Sequence, residues 1–226
     1  MKKLFPVIHH KNDQTTFENA KIAFNEGCAG VFLIEMSGKD DHVIESALEL
    51  KSKYSDWFVA RNCLSINPVE AIISDYEFGF DGLWIDNPGL YSDREDLIVS
   101  KINEELKLRP DFAFYGSIAF KTHQYEDLDP GLAAHLASDM GWFPTTSGTA
   151  TGVAADLAKI RNIRACLHRR LLAIASGITV DNIYQYLPMV DHFLVATGIS
   201  KSFYEFDIKL VHQMAQKIKE YNKAHH

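Results

Sequence analysis

Cysteine is scarce in this chain and shows no pairing pattern: Cys28, Cys63 and Cys166 are odd in number and widely spaced, with no Cys-x-x-Cys among them. That argues against a disulfide framework and a thiolate metal site, and it fits a reducing compartment. No stretch reaches the roughly 18 consecutive apolar residues of a membrane-spanning helix. No run of five basic residues occurs, and 23 Lys and Arg face 30 Asp and Glu for a formal net charge of -7. A chain of that balance is an unfavourable partner for a phosphate backbone, so nucleic acid is not expected. Low-complexity tracts and linkers are also missing. The opening MKKLFPVIHHKND has an apolar run broken by Pro6 and ended by His9 and His10, too short for a signal-peptide core. The expectation is a soluble, cytoplasmic protein.

With 46% hydrophobic and 23% charged residues over 226 positions, the chain can bury a substantial core. Its organisation is an alternation of short apolar runs with amphipathic segments. LFPVIHH precedes TTFENAKIAFNEG, where Thr15 and Glu18 have capping-box spacing. GVFLIEM precedes DDHVIESALELKSKYS, and WFVARNCLS precedes NPVEAIISDYEFG, with Asn67 as N-cap and Pro68 at the first helical position. DGLWIDN leads to SDREDLIVSKINEELKLR, opened by Ser92 and Glu95 at capping-box spacing, and FAFYGSIAF leads to PGLAAHLASDMG. GWFPTT leads to AADLAKIRNIRACL, LLAIASG to TVDNIYQYLPMV, and DHFLVATG to the long amphipathic EFDIKLVHQMAQKIKEYNKA. Eight strand-helix pairs predict an α/β fold, a single-domain (β/α)8 TIM barrel over residues 1–226, close to the roughly 250 residues usual for that fold. The strands are apolar without strict alternation, as buried parallel strands are. A doubly wound open sheet is the competing architecture.

In such a barrel the active site lies in the loops after the strands. The runs end in His9 and His10, Glu35, Arg61 and Asn62, Asp86 and Asn87, Lys121 and His123. After the sixth run comes TTSGTATG, and after the seventh and eighth come SGIT and ATGIS. Glycines with hydroxyls and free N–H groups suit an anion, so Ser147, Gly148, Thr149, Thr151, Gly152, Ser176, Gly177, Thr197 and Gly198 are the candidate phosphate-binding residues. Each motif alone is ordinary turn chemistry.

VIHHK, ARNCLSINPVEAI, YGSIAFKTHQ, TTSGTATG, SGITVDNIYQYL and DHFLVATGISK follow one another in an order that resembles the BtpA family of TIM-barrel proteins. The resemblance runs over nearly the whole chain and implies the barrel and a phosphorylated sugar or nucleotide-derived ligand. The chain departs from the family pattern at Ser117, where an Asp is common, in the split Lys121-Thr122-His123, and in EMSGKD, which keeps Glu35 without the following Asn. These losses argue against a divalent metal and an Asp-dependent step.

Glu35, Asp86, His123 and His9 are the candidate catalytic residues, and Asn62, Asn87 and Lys121 the candidate ligand contacts. Each has a structural alternative. Glu35 is a base of raised pKa or half a salt bridge. Asp86 with Asn87-Pro88-Gly89 also reads as a turn initiator. Only one of His9 and His10 can face the barrel axis. Lys121 is a ligand contact or, less readily, a Schiff-base amine. Arg61 is expected to pair across the barrel top, the basic His168 to Arg170 to be a solvated surface, and the aromatics of SKSFYEFD to pack beneath the last helix, with a cover over the phosphate site as the alternative. His9, Glu35, His123 and Asp86 have no local metal-ligand spacing, so neither a metal nor another cofactor is expected. His225 and His226 end the chain as an exposed pair. The expected function is an enzyme of isomerase or epimerase type acting on a small phosphorylated metabolite, a phosphosugar or phosphoribosyl compound. A phosphoribosyl or glycosyl transferase and a non-catalytic assembly or regulatory factor are the alternatives. A homo-oligomer is left open.

Overall fold

Each apolar run forms a strand and each amphipathic segment a helix in the computed structural model, which describes residues 1–225; His226 lies outside the described residues. In chain order these are β1 (Lys3–His9), α1 (Asp13–Asn25), β2 (Gly30–Ile34), α2 (Ile44–Lys53), β3 (Phe58–Cys63) and α3 (Pro68–Glu77). Then follow β4 (Gly82–Ile85), α4 (Leu97–Lys107), β5 (Ala113–Gly116), α5 (Pro130–Asp139), β6 (Thr145–Thr146), α6 (Leu157–Leu167), β7 (Ala173–Ala175), α7 (Ile183–Tyr186), β8 (His192–Val195) and α8 (Ile208–Ala224). All strand pairings are parallel, in the order β5-β4-β3-β2-β1-β8-β7-β6. The two ends meet through a parallel bridge of Ser117 with Thr145 and through the bonds Phe143 N–H to Phe114 O (2.8 Å) and Ile118 N–H to Thr145 O (2.9 Å). The chain is a (β/α)8 barrel.

Two shells of apolar side chains follow from the two faces of each strand. Phe5, Val7, Phe32, Ile34, Ala60, Trp84, Tyr115, Ala173, Ala175 and Leu194 pack together inside the barrel. Leu4, Ile8, Val31, Leu33, Val59, Leu83, Phe114, Ile174 and Phe193 pack outward against the helices. Parity therefore decides the direction of every neighbouring pair, because successive side chains leave opposite faces of a strand. Arg61 belongs to the outward set. Its short ion pair is with Asp75 on α3, Nη2 to Oδ1 at 2.6 Å and Nε to Oδ2 at 3.1 Å, the two residues 1% and 0% exposed, and Nη1 lies 4.0 Å from Asp41 Oδ1 in the loop after β2.

The helix starts differ from their expected caps in two places. α1 is capped by Asn12, whose side chain accepts from Thr15 N–H, so Thr15 lies inside the helix and makes no box with Glu18. α4 starts only after Asp96; the Ser92 hydroxyl accepts from Asp129 N–H instead. Asn67 does cap α3, accepting from Val69 N–H with Pro68 first in the helix. His168, Arg169 and Arg170 are exposed, as expected of a solvated turn. No described helix is long and apolar enough to cross a membrane.

Candidate active site

The carboxyl ends of the strands surround a cavity of about 100 Å³. Its floor is the upper layer of the barrel interior, Val7, Ile34, Trp84 and Leu194. Around it the wall divides by strand. The ends of β6, β7 and β8 contribute Thr151, Ser176, Gly177, Thr197 and Gly198; the ends of β3 and β5 contribute Asn62 and Lys121; the ends of β8, β1, β2 and β3 contribute Phe203, His9, Met36 and Leu64.

Lys121 is the cationic member of this wall. Its Nζ donates to Asp86 Oδ2 at 2.8 Å, and Asp86 Oδ1 accepts from Asn62 Nδ2 at 3.2 Å. Asn62 is fully buried, and Nδ2 also donates to the Trp84 carbonyl at 3.0 Å. These two acceptors fix the orientation of the amide, so Oδ1 is the acceptor end, and it is buried with no hydrogen-bond partner among the described residues. A buried polar atom left unpaired costs about 1–3 kcal/mol, which a ligand donor would recover.

The backbone beneath Lys121 is strained. Ala119 (φ 43°), Lys121 (φ 46°) and, across the cavity, Ser176 (φ 72°) occupy the left-handed region without being glycine. Such positions cost about 1–3 kcal/mol each and persist only where their surroundings enforce them. The enforcing groups are visible. Lys121 N–H donates to Ser147 Oγ at 2.9 Å, whose hydroxyl donates to Gly148 O at 2.8 Å. From α6, Lys159 Nζ donates to the carbonyls of Ala119 (3.0 Å) and of Ser147, and the Thr146 hydroxyl donates to Ala119 O at 3.3 Å. Burial pulls the Lys159 ammonium down to about 8, against the opposing charges of Asp156 and Asp127.

His9 faces the cavity and His10 turns to α1, its Nδ1 3.0 Å from Thr16 Oγ1. The His9 ring stacks on Phe203 at 4.1 Å with an interplanar angle of 1°, and Nδ1 lies 2.9 Å from the Phe203 carbonyl. A carbonyl can only accept, so Nδ1 carries the proton and Nε2 is the basic nitrogen of the neutral ring. Burial lowers the pKa of His9, the Phe203 carbonyl opposes this, and the charge of Lys121 lowers it further. Of the two placements expected for these aromatics, Phe203 takes the one over the mouth, 52% exposed, while Phe206 is buried. The strap that carries Phe203 is closed by a bridge of Ser200 with Phe206 and pinned by Asn19, which donates to Tyr204 O (2.8 Å) and accepts from Phe206 N–H (2.9 Å).

Other residues singled out in the sequence lie outside the cavity wall. Glu35 is an outward position of β2's extension; Oε2 accepts from Ser37 N–H (2.9 Å), Ser37 Oγ (2.8 Å) and Lys39 N–H (2.9 Å). Burial raises its pKa, but the hydrogen bonds from Lys39 and Ser37 outweigh that and hold it below the usual carboxylate value. Its pKa is lowered rather than raised, no ion pair of it is found among the described residues, and its hydrogen bonds organise its own loop. His123 points to Glu126 Oε1 at 3.0 Å, away from the wall. Asn87 Oδ1 accepts from Gly89 N–H and Tyr91 Oη, both at 3.2 Å, and so holds the turn. Ser147 and Gly148 are buried beneath the sixth loop, while Thr149 and Gly152 are exposed and not in the wall. Gly152 N–H donates to Ser176 Oγ at 2.9 Å, joining the loops after β6 and β7.

The loop glycines serve close loop packing. A methyl group at Gly148 would stand 2.1 Å from Val153 O, one at Gly177 (φ 70°) 2.2 Å from the same oxygen, and one at Gly198 1.9 Å from Ile178 O. Ser117 accepts from the Trp84 indole N–H at 2.9 Å. Among the described residues no three His, Cys, Asp or Glu side chains gather as a metal site. Nothing in the sequence singles out Lys159, Met36 or Leu64. A lysine inside an amphipathic helix carries no sign that it turns inward, and single apolar residues after a strand look like its continuation.

No protein-family model matches this chain, and no curated protein does. Solved structures do match. A ligand complex of KGPDC from Streptococcus mutans superposes with a TM-score of 0.71 at 12% identity, over 97% of this chain and 98% of that one. Phosphoribosyl anthranilate isomerase from Thermus thermophilus gives 0.67 at 12% identity, over 97% and 99%. 3-Hexulose-6-phosphate synthase gives 0.66 at 12% identity, over 97% and 99%. At that identity these likenesses establish the fold: the chain is similar to TIM-barrel enzymes of phosphorylated substrates.

Proposed function

We propose that this protein is an enzyme of isomerase or epimerase type that binds a phosphorylated sugar or phosphoribosyl compound at this mouth. The BtpA resemblance and the names of the structural neighbours agree with that reading. The observation that carries it is the cation Lys121, presented on strained backbone opposite the neutral His9 and beside the unpaired Oδ1 of Asn62. The phosphate contacts the loops after β6 to β8, through Thr151, Ser176, Gly177, Thr197 and Gly198. That anchors the reacting carbons against the other wall, and such positioning supplies much of the rate in a bound reactant.

In this reading His9 Nε2 takes a proton from carbon, and the Lys121 ammonium stabilises the oxygen that gains negative charge. Asp86 and Asn62 act as positioning residues, holding Lys121 and the substrate. The chemistry needs no bound metal or cofactor.

The test joins binding to turnover. Pentose and hexose phosphates are screened by thermal shift, and stabilising compounds are incubated in deuterated water and followed by proton NMR. The expected result is stabilisation and deuterium uptake at the carbon beside the carbonyl. Exchange should fall by about 10²–10⁴-fold in His9→Asn and Lys121→Met. Because burial holds His9 below 6.5, its acid limb should lie below that pH. No stabilisation by any phosphosugar would overturn the proposal, and stabilisation without exchange would favour a non-catalytic binding factor.

A further inference from the structure

The third sector of the wall is out of keeping with a plain sugar phosphate. Between β8 and β3 the side chains at the rim are Phe203, Met36 and Leu64, exposed by 52%, 51% and 39% although all are apolar. β2 and β3, which lead into Met36 and Leu64, are neighbours, and β1, whose His9 stacks on Phe203, lies between β2 and β8, so this side of the rim runs Leu64, Met36, His9, Phe203. A sugar lying there would place several hydroxyls against groups that cannot pair with them, at a cost for each. Two polar atoms nearby are engaged, His9 Nδ1 by the Phe203 carbonyl and the Trp84 indole by Ser117, and His9 Nε2 is given to the reacting carbon in the reading above. The buried acceptor Asn62 Oδ1, where this side of the wall meets Lys121, is left for the rest of the ligand.

We infer that the ligand is a phosphorylated sugar bearing a flat aryl or heteroaryl group, which lies against Phe203, Met36 and Leu64 with an N–H or O–H beside it donating to Asn62 Oδ1. Three sectors then meet three chemical parts: hydroxyl and glycine loops the phosphate, Lys121 and His9 the reacting atoms, the apolar rim side chains the ring. Phe203 is already stacked on the flat face of His9, and its open surface is where a second ring gains from offset or edge packing. This inference rests on the phosphosugar reading and names the rest of the same ligand.

Isothermal titration of the full chain with four probes tests it: ribose 5-phosphate, adenosine 5′-monophosphate, uridine 5′-monophosphate, and adenosine without phosphate. A ring seated against Phe203, Met36 and Leu64 should make at least one nucleotide bind on the order of tenfold tighter than ribose 5-phosphate. Phe203→Ala and Leu64→Asn should reduce that ratio towards one, and Asn62→Leu should weaken the nucleotide. Equal affinities in the wild type, or a nucleotide advantage that survives Phe203→Ala, would overturn the inference. Binding of ribose 5-phosphate with neither nucleotide also overturns it, and leaves the phosphosugar reading standing. Binding of adenosine with no phosphorylated probe preferred overturns it too, and with it the phosphosugar reading.

Discussion

His192 shows how a single buried residue ties stability to pH. It opens β8 inside the barrel, 5% exposed, with Nδ1 2.9 Å from the Tyr115 hydroxyl and the rings of Phe5 and Phe143 around it. Burial, helped by the charge of Lys3, pulls its pKa from 6.5 to about 4. The folded state therefore favours the neutral ring, and the unfolded chain takes up the proton first as pH falls. Stability present above 6.5 should be lost between 6.5 and about 4, by roughly 3 kcal/mol from this residue, and should not fall further on its account below that window. Urea denaturation at stepped pH measures it, and His192→Asn should flatten that part of the curve. An unchanged slope in the variant would mean that other histidines set it; His9 and His10, both lowered by burial, act in the same direction. The histidine was visible in DHFLVATG, but its burial was not, because the strand phase that turns it inward is not encoded in an unbroken apolar run.

At the scale of the element, the loops after β6, β7 and β8 behave as one packed unit. Segment 153–154 lies over Gly148 and Gly177, and Ile178 lies over Gly198. The motifs TTSGTATG, SGIT and ATGIS were legible as a set, and so was their place at the strand ends. Which glycines approach a ligand and which approach another loop depends on contacts between distant segments. Gly177→Ala should lower stability by about 1–3 kcal/mol for the left-handed conformation alone, with more from the clash against Val153 O at 2.2 Å. Denaturant midpoints of the two proteins check this, and an unchanged midpoint would mean that segment 153–154 yields without cost. Helix starts divide in the same way. Asn67-Pro68 was readable because Pro at the first turn is locally favoured, whereas the Ser92 and Glu95 pair met its spacing and lost the helix start to a contact between Ser92 and Asp129.

Over the whole molecule, barrel closure is uneven. β1, β2 and β3 pair over several residues, but β6 has two residues and joins β5 through a bridge and the amides of Phe143 and Ile118. Local opening follows the least supported part of a structure. Hydrogen exchange should therefore release the amides of Phe143 and Ile118 before those of Val31 to Ile34. Equal protection would show that the α5 and α6 packing across the seam makes up for the missing strand bonds. The seam lies beside the loop of Lys121, and strain at Ala119 and Lys121 is held there by Ser147 and Lys159 from the other side.

By itself the sequence determined the alternation of eight strands and eight helices and the polar residues at the strand ends, and it favoured a barrel over a doubly wound sheet, whose exclusion came with the closing bridge of Ser117 and Thr145. Hydrophobic period and turn chemistry are local, and eight repeats of them leave few ways to close a parallel sheet. Only the tertiary structure decided which member of each polar pair looks inward: His9 over His10, Asn62 over Arg61, and Asp86, which grips Lys121, over Asn87, which holds its turn. Strands buried on both faces carry apolar residues at every position, so their phase is set by the register of the closed sheet and by no residue within the strand.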